Sequence, residues 1–218
     1  MEPLVFITGA SSGIGQALAL RFYQAGYRLA LVARRTDVVL AWVAQVGIDV
    51  HRMRVYAADV AVIDSAVAAG QACMQEMGVP DVVIAGAGIS VGVDTSVRAD
   101  LDVMAQVLAT NNVGMAATFH PFVDPMKIRG SGTLVGIASV NGIRGFPGHG
   151  AYCASKAAVI SYCESVRGEL RGTGVRVVTI SPGYVDTPLT RGNRYRMPFL
   201  MSAQAFAQAA FVAIKRGS

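Results

Sequence analysis

The chain has 218 residues, enough for one sizeable α/β domain. Hydrophobic residues make up 53% of it and charged residues only 15%, which suits a sheet buried on both faces with some area left for a subunit interface. The formal net charge of +5 is compatible with an anionic ligand, but Lys and Arg form no long run, so a nucleic-acid partner is not expected.

Three cysteines (Cys73, Cys153 and Cys163) form an odd count without metal-ligand spacing, which predicts a reduced, cytoplasmic chain without structural disulfides. His51, His120 and His149 do not cluster, so no metal site is expected. The N-terminus runs straight into an apolar strand with no basic leader or cleavage site, so no signal peptide is expected. Val103 to Val123 lacks Asp, Glu, Lys and Arg but contains Gln106, Thr110, Asn111, Asn112, Thr118 and His120. That is too polar for a bilayer span and predicts a buried helix.

In chain order, Leu4 to Ile7 reads as a short buried strand. It enters Thr8-Gly9-Ala10-Ser11-Ser12-Gly13-Ile14-Gly15, and a helical pattern follows from Gln16 to Gln24, stopped by Gly26. Strand, glycine-rich turn and helix together cradle a phosphate, because glycines let backbone N–H groups approach the anion and the helix N-terminus adds partial positive charge. The spacing is Gly-x-x-x-Gly-x-Gly, and in this context it predicts dinucleotide binding. Arg28 to Ala33 reads as the second strand and ends in Arg34-Arg35. An acid at that point selects NAD(H) and an arginine accepts the 2′-phosphate of NADP(H), so NADP(H) is favoured over NAD(H).

A helix over Asp37 to Val46 and a third strand over Val50 to Ala57 follow. Asp59 then stands where it could accept a hydrogen bond from an adenine amino group, cap the helix of Ala61 to Met77, or do both. Asp81 to Ala85 is the fourth strand, and small residues after it, Gly86-Ala87-Gly88, leave room for a cofactor against the strand ends. The next helix, about Arg98 to Met126, carries Asn111-Asn112 and Gly114 in its middle. All three are poor helix-interior residues, and their presence in an apolar helix predicts a local kink held for a site.

Thr133 to Ala138 is the fifth strand and presents Ser139. Tyr152 and Lys156 lie four residues apart at the start of the helix of Tyr152 to Arg171, on one face. A free tyrosine has a pKa of about 10, and a cation one turn away is expected to lower it, so the pair could move a proton near neutral pH. Ser139 could hydrogen-bond the oxygen that Tyr152 protonates. Cys153, beside Tyr152, points about 100° away on a helix and is not read as a nucleophile. Val175 to Ile180 is the sixth strand. Ser181 to Pro188 is a loop at its C-terminal end, where ligands bind in open α/β sheets. Ala203 to Lys215 is a final amphipathic helix. Strands alternate with helices throughout, with no linker, low-complexity tract or repeat, which predicts a single domain over residues 1–218 with a doubly wound parallel sheet.

The motif Thr8 to Gly15, then Asn111, Ser139, Tyr152 and Lys156, then Pro182-Gly183 with Thr187, resembles the short-chain dehydrogenase/reductase family over nearly the whole chain, Leu4 to about Arg216. The resemblance implies a Rossmann-type sheet in the strand order 3-2-1-4-5-6 and hydride transfer between a nicotinamide cofactor and a carbonyl or alcohol carbon. It implies that Tyr152 is the general acid/base, that Lys156 lowers its pKa and holds the nicotinamide ribose, and that Ser139 orients the substrate oxygen. Asn111 would keep the kinked helix open for a proton-relay water near Lys156. It is chosen over Asn112 because the family's asparagine precedes a glycine by three, and Gly114 fits. The cofactor would lie on Gly9, Ser11, Ser12, Gly13, Ile14, Gly15, Arg34, Arg35, Asp59, Val60, Ala87, Gly88, Tyr152, Lys156, Pro182, Gly183, Val185 and Thr187. Asp59 and Val60 would flank the adenine, and Thr187 would hold the nicotinamide carboxamide.

Two departures stand out. Relatives usually carry Asn-Ala-Gly where this chain has Gly86-Ala87-Gly88, so reduced local stability is expected there. Relatives also run on to a seventh strand, so the sixth is expected to be an exposed edge and the dimer contact near it weakened, and truncation is one reading. The segment from Pro188 to Ser202 is short and includes Arg191, Arg194 and Arg196, which implies an open site or a short lid.

The substrate is expected to be a small carbonyl or secondary alcohol, apolar because Val140, Ile143, Phe146 and Pro147 are expected to line it beside His149 and residues of Tyr184 to Leu200. Apolar helix faces over Arg98 to Met126 and Tyr152 to Arg171 imply a homodimer or homotetramer. The alternatives are a non-catalytic NADP(H)-binding regulatory protein and an epimerase or dehydratase of the nucleotide-sugar type, for whose usual C-terminal substrate domain the chain has no room. A peripheral membrane enzyme would use Phe199 to Ile214.

Overall fold

Leu4–Thr8 (β1) is buried at every position, as a central strand covered on both faces must be. The structure is a computed structural model and describes residues 2–191 and 196–217. After β1 the chain alternates: Gly13–Gln24 (α1), Arg28–Ala33 (β2), Thr36–Val46 (α2), Met53–Ala57 (β3), Ile63–Met77 (α3), Val82–Ala85 (β4), Asp100–Leu108 (α4), Gly114–Arg129 (α5), Gly132–Ile137 (β5), Gly150–Glu169 (α6) and Val175–Ile180 (β6). Val185–Asp186 (β7), Pro188–Arg191 (α7), Met201–Ser202 (β8) and Ala203–Arg216 (α8) complete it. The sheet is parallel in the order β3-β2-β1-β4-β5-β6, as expected. Phe6 lies beside Ala30 of β2 and Val83 of β4.

The period-two alternation of the strands divides the core into two layers. Val5, Ile7, Leu29, Leu31 and Ile84 face α1, α2 and α8, where Leu18, Phe22, Val39 and Phe206 meet them. Leu4, Phe6, Ala30, Val83 and Leu134 face α3, α5 and α6, packing on Phe119, Phe122 and Cys163. The apolar face of α8, which could have met a membrane, is instead packed on α1, with Phe22 and Phe211 rings 4.9 Å apart. No described helix is long and apolar enough to cross a membrane. The sixth strand is the sheet edge, and its Arg176 donates to Lys215 O of α8 (3.3 Å).

Three expectations are corrected. The third strand begins at Met53, not Val50, because Asp49 Oδ1 accepts from His51 N (2.9 Å) and caps a 3₁₀ turn over Val50–Arg52. Asp59 does not cap α3. Its Oδ1 accepts from Ala61 N (3.0 Å), closing a local turn, and the helix starts two residues later than expected, at Ile63. The long helix of Arg98 to Met126 is two helices joined by a π-helical turn, Ala109–Val113, the form the kink takes.

Gly114 opens α5 because of a close approach. A Cβ there would stand 2.8 Å from Val60 O and 2.9 Å from Val60 Cγ2. Gly114→Ala should therefore destabilise by about 1–3 kcal/mol through overpacking, despite the better helix propensity of Ala. Urea unfolding of the purified variant checks it, and a raised midpoint would show that the approach is not needed.

Candidate active site

β1 and β4 are neighbours in the sheet, yet their following helices pack on opposite faces, which leaves a crevice beyond the strand ends. One cleft occupies it. It is lined by Gly9 and Ser11 to Gly15, by Arg34 and Arg35 after β2, by Asp59 and Val60 after β3, by Ala87 and Gly88 after β4, and by Pro182, Gly183, Val185 and Thr187 after β6. Ser139, Tyr152 and Lys156 lie at its far end.

The glycine turn fits a diphosphate. A Cβ on Gly9, where φ is +75°, would stand 2.7 Å from the Ala87 backbone, and one on Gly15 would overlap Gly9 O. Neither position tolerates a side chain, so the backbone N–H groups can be approached closely. Ser12 precedes α1 without a side-chain cap, and no acid stands in the first turn, so the positive end of the helix is left to a ligand. At the other end of the cleft Arg34 Nη1 lies 3.8 Å from Asp59 Oδ2, both exposed, a pairing of small energetic weight. Arg35 has no carboxylate partner among the described residues.

At the chemical end, α6 places Tyr152 and Lys156 on one face, with Lys156 Nζ 5.6 Å from the phenol ring centroid. Lys156 is 6% exposed, and its ammonium donates to Ile137 O (2.7 Å) at the end of β5. Two residues on, Ser139 lines the same wall as Tyr152, and its Oγ accepts from Asn141 N (3.2 Å). Burial draws Lys156 down from its ordinary 10.5 to about 8. Burial pushes the Tyr152 phenol up; the neighbouring Ser139 hydroxyl opposes the rise, and Cys153 adds a little to it. The shift expected from the Tyr-x-x-x-Lys spacing was downward. Desolvation is the larger effect, and the Lys156 ammonium bonds a carbonyl instead of the phenolate position.

Asn111 is 2% exposed and lines neither the cleft nor the cavity described below. Its Oδ1 accepts from Ile89 N (2.9 Å), and its Nδ2 donates to Ile89 O (3.0 Å) and Ser155 Oγ (2.9 Å). Ser155 Oγ in turn donates to Tyr152 O (2.7 Å). It therefore holds the β4 loop against α6. Neighbouring Asn112 donates to Ser155 O (2.8 Å).

A second cavity of about 710 Å3 shares Ser139, Tyr152, Gly183, Leu189 and Thr190 with the cleft and is otherwise walled by residues such as Val140, Phe146, Pro147, His149, Tyr184 and Arg196. Ile143 does not line it and is exposed. Arg191 pairs with Asp186 (3.0 Å), and Arg194 lies outside the described residues.

The sequence matches the short chain dehydrogenase family over residues 3–197. The chain belongs to that family. Among its relatives, an uncharacterized oxidoreductase of Myxococcus xanthus is 37% identical over 214 residues, which cover 97% of this chain and 83% of that protein. The 2-(R)-hydroxypropyl-CoM dehydrogenase of Xanthobacter autotrophicus is 32% identical over 198 residues, covering 88% of this chain and 78% of the relative. A solved structure, ElxO with NADP bound, has the same fold with a TM-score of 0.89 at 21% identity, covering 98% of this chain and 92% of that one.

Within this short chain dehydrogenase, Leu189 and Thr190 line both spaces, whereas sequence reasoning had placed them only in the substrate segment of Tyr184 to Leu200. Thr190 Oγ1 accepts from Thr187 N (3.1 Å) and donates to Val185 O (2.6 Å), and so folds the loop after β6. The Thr-x-x-Thr spacing at the start of α7 was the available signal. Ile89 and Thr110 also line the cleft, at a strand end and in the π-turn.

The Lys156 shift is also a statement about stability. Its folded pKa lies below its unfolded value, so the folded chain binds fewer protons between about pH 8 and 10.5, and the contribution of this group to stability rises across that window. Relative to Lys156→Met, the wild-type chain should gain up to about 3 kcal/mol from pH 8 to 10.5. Denaturant unfolding of both proteins across that range checks it, and parallel curves would mean that the ammonium is solvated.

Proposed function

We propose that the chain is an NADP(H)-dependent carbonyl reductase in which Tyr152 is the general acid. The observation that carries this reading is that Ser139 and Tyr152 together line the wall common to the cleft and the second cavity. Reduction of a carbonyl builds negative charge on its oxygen, and two hydroxyl donors aimed at one point stabilise that charge. A bound nicotinamide would supply the hydride. Tyr152 donates the proton to the substrate oxygen, Ser139 orients that oxygen, and Lys156 holds the nicotinamide ribose and supplies positive charge beneath the phenol. Asn111 keeps Ile89 and α6 in register.

The upward shift of Tyr152 favours the reductive direction, because the phenol keeps its proton at neutral pH. The two arginines after β2 favour NADP(H), with Arg35 the freer of the two to accept a 2′-phosphate. NADP in the ElxO structure supports the same cofactor. Uncovered apolar side chains on α4, α6 and the π-turn, Leu101, Met104, Val113 and Tyr162, support a homo-oligomer.

Three outcomes are expected. Tyr152→Phe should bind NADPH as the wild type does, by fluorescence titration, and reduce no carbonyl; unchanged turnover would sink the mechanism. Arg35→Ala should weaken NADPH about ten- to hundredfold and leave NADH nearly unaffected, as loss of a charge-assisted hydrogen bond predicts, and equal losses would remove the 2′-phosphate role. Carbonyl reduction should hold its rate from neutral pH until Lys156 discharges near pH 8, whereas alcohol oxidation, which needs the phenolate, should climb with pH through the same range. Steady-state rates in both directions read this.

A further inference from the structure

The second cavity is lined both by Ser139 and Tyr152 and by an exposed arginine, Arg196. Between them lie mainly apolar and small side chains, Phe146, Pro147 and Leu189 among them. Among the described residues no Asp or Glu lines this cavity. Five arginines lie within ion-pair distance of a carboxylate: Arg34 near Asp59, Arg52 near Glu2, Arg98 near Asp102, Arg129 near Asp81 and Arg191 near Asp186. Arg196 has no carboxylate within ion-pair distance among the described residues. An arginine left unpaired over a cavity that contains no acid is a positive end looking for an anion. Its planar fork of donors matches the two oxygens of a carboxylate or sulfonate.

We propose that the substrate is an oxo acid: a short apolar carbonyl compound whose oxygen meets Ser139 and Tyr152 and whose far end carries an oxyanion, carboxylate or sulfonate, received by Arg196. This rests on the carbonyl reductase reading and adds the substrate class to it. It departs from the expectation of a wholly apolar substrate. The apolar wall fits only the body of the molecule, and the cavity, at about 710 Å3, falls within the roughly 300–1,000 Å3 usual for small-molecule sites, so both ends can be held at once. Because Arg196 is exposed, its charge acts through partly screened contacts, and its effect should fall with added salt.

The test compares acids with their neutral esters. Acetoacetate, levulinate and 2-oxopropanesulfonate are assayed with NADPH against methyl acetoacetate and methyl levulinate, for the wild type and Arg196→Gln. The wild type should prefer the anions by at least about tenfold in kcat/KM, and the variant should lose about ten- to hundredfold on the anions, mostly through KM, with the esters unchanged. NADPH binding should be the same in both proteins, since Arg196 does not line the cofactor cleft. Whichever of carboxylate and sulfonate is preferred identifies the oxyanion. Esters turned over as well as acids by the wild type, or an equal loss on both in the variant, overturns the proposal while leaving the reductase reading intact.

If no carbonyl compound is reduced, calorimetric titration of the NADP-saturated wild type and variant with levulinate and 2-oxopropanesulfonate decides. Binding that Arg196→Gln abolishes upholds the anion site and places the failure in the reductase reading, and absence of binding overturns the anion site itself.

Discussion

One buried hydrogen bond sets the geometry of the chemical end: the Lys156 ammonium on Ile137 O, 2.7 Å long. Taking a cation out of water is costly, and the fall of Lys156 to about 8 records that cost. The charge is held by the carbonyl that closes β5, so the first turns of α6 are tied to the strand end. Ser139 lies two residues beyond that carbonyl, and Tyr152 one helical turn before the lysine. Their meeting follows from a single tether. A serine and a tyrosine held only by their own loops would have more freedom, and orientation of donors is where a proton-transfer site gains its rate.

The fold was legible because its signals are periodic. Buried apolar runs of four to six residues, each followed by a helical pattern, define a parallel sheet without reference to any relative. The cleft was legible because glycines, arginines and small residues fall at strand ends, and the ends of parallel strands share one edge. What escaped was local competition between side chains and backbone. Asp49 and Asp59 both turn their carboxylates onto nearby N–H groups, which shortens β3 at its start and delays α3. Asn111-Asn112 and Gly114 announced an irregular helix, but the form of the irregularity, a π-turn, depends on contacts with Ile89 and Val60 that lie far away in sequence. The direction of the Tyr152 shift was missed for a similar reason. Spacing reports that a cation is near, and only burial reports how much the charged form of each group is penalised.

The second cavity was only half legible. Its apolar wall could be read from the residues that follow Ser139, whereas Arg196 enters from a segment with no periodicity. Thr190 matters to both spaces for the same reason: it folds the loop after β6 by hydrogen bonds to Thr187 and Val185, and that loop separates the cleft from the cavity.

The glycine at position 86 is a departure from the family pattern. A side chain there was expected to brace the sheet, and its absence to reduce local stability. A Cβ on Gly86 would stand 2.8 Å from Thr8 O, so in this chain the neighbouring strand occupies the space. The brace comes from the other partner. Thr8 Oγ1 accepts from both Gly86 N (3.2 Å) and Ala87 N (3.4 Å), joining β1 to the loop that carries Gly88. Thr8 is 2% exposed, so these bonds are shielded from competing water, and Gly86 N is also held by Ile84 O (3.0 Å). The β4 loop of this chain is thus joined to β1 through the backbone at positions 86 and 87 and a threonine side chain.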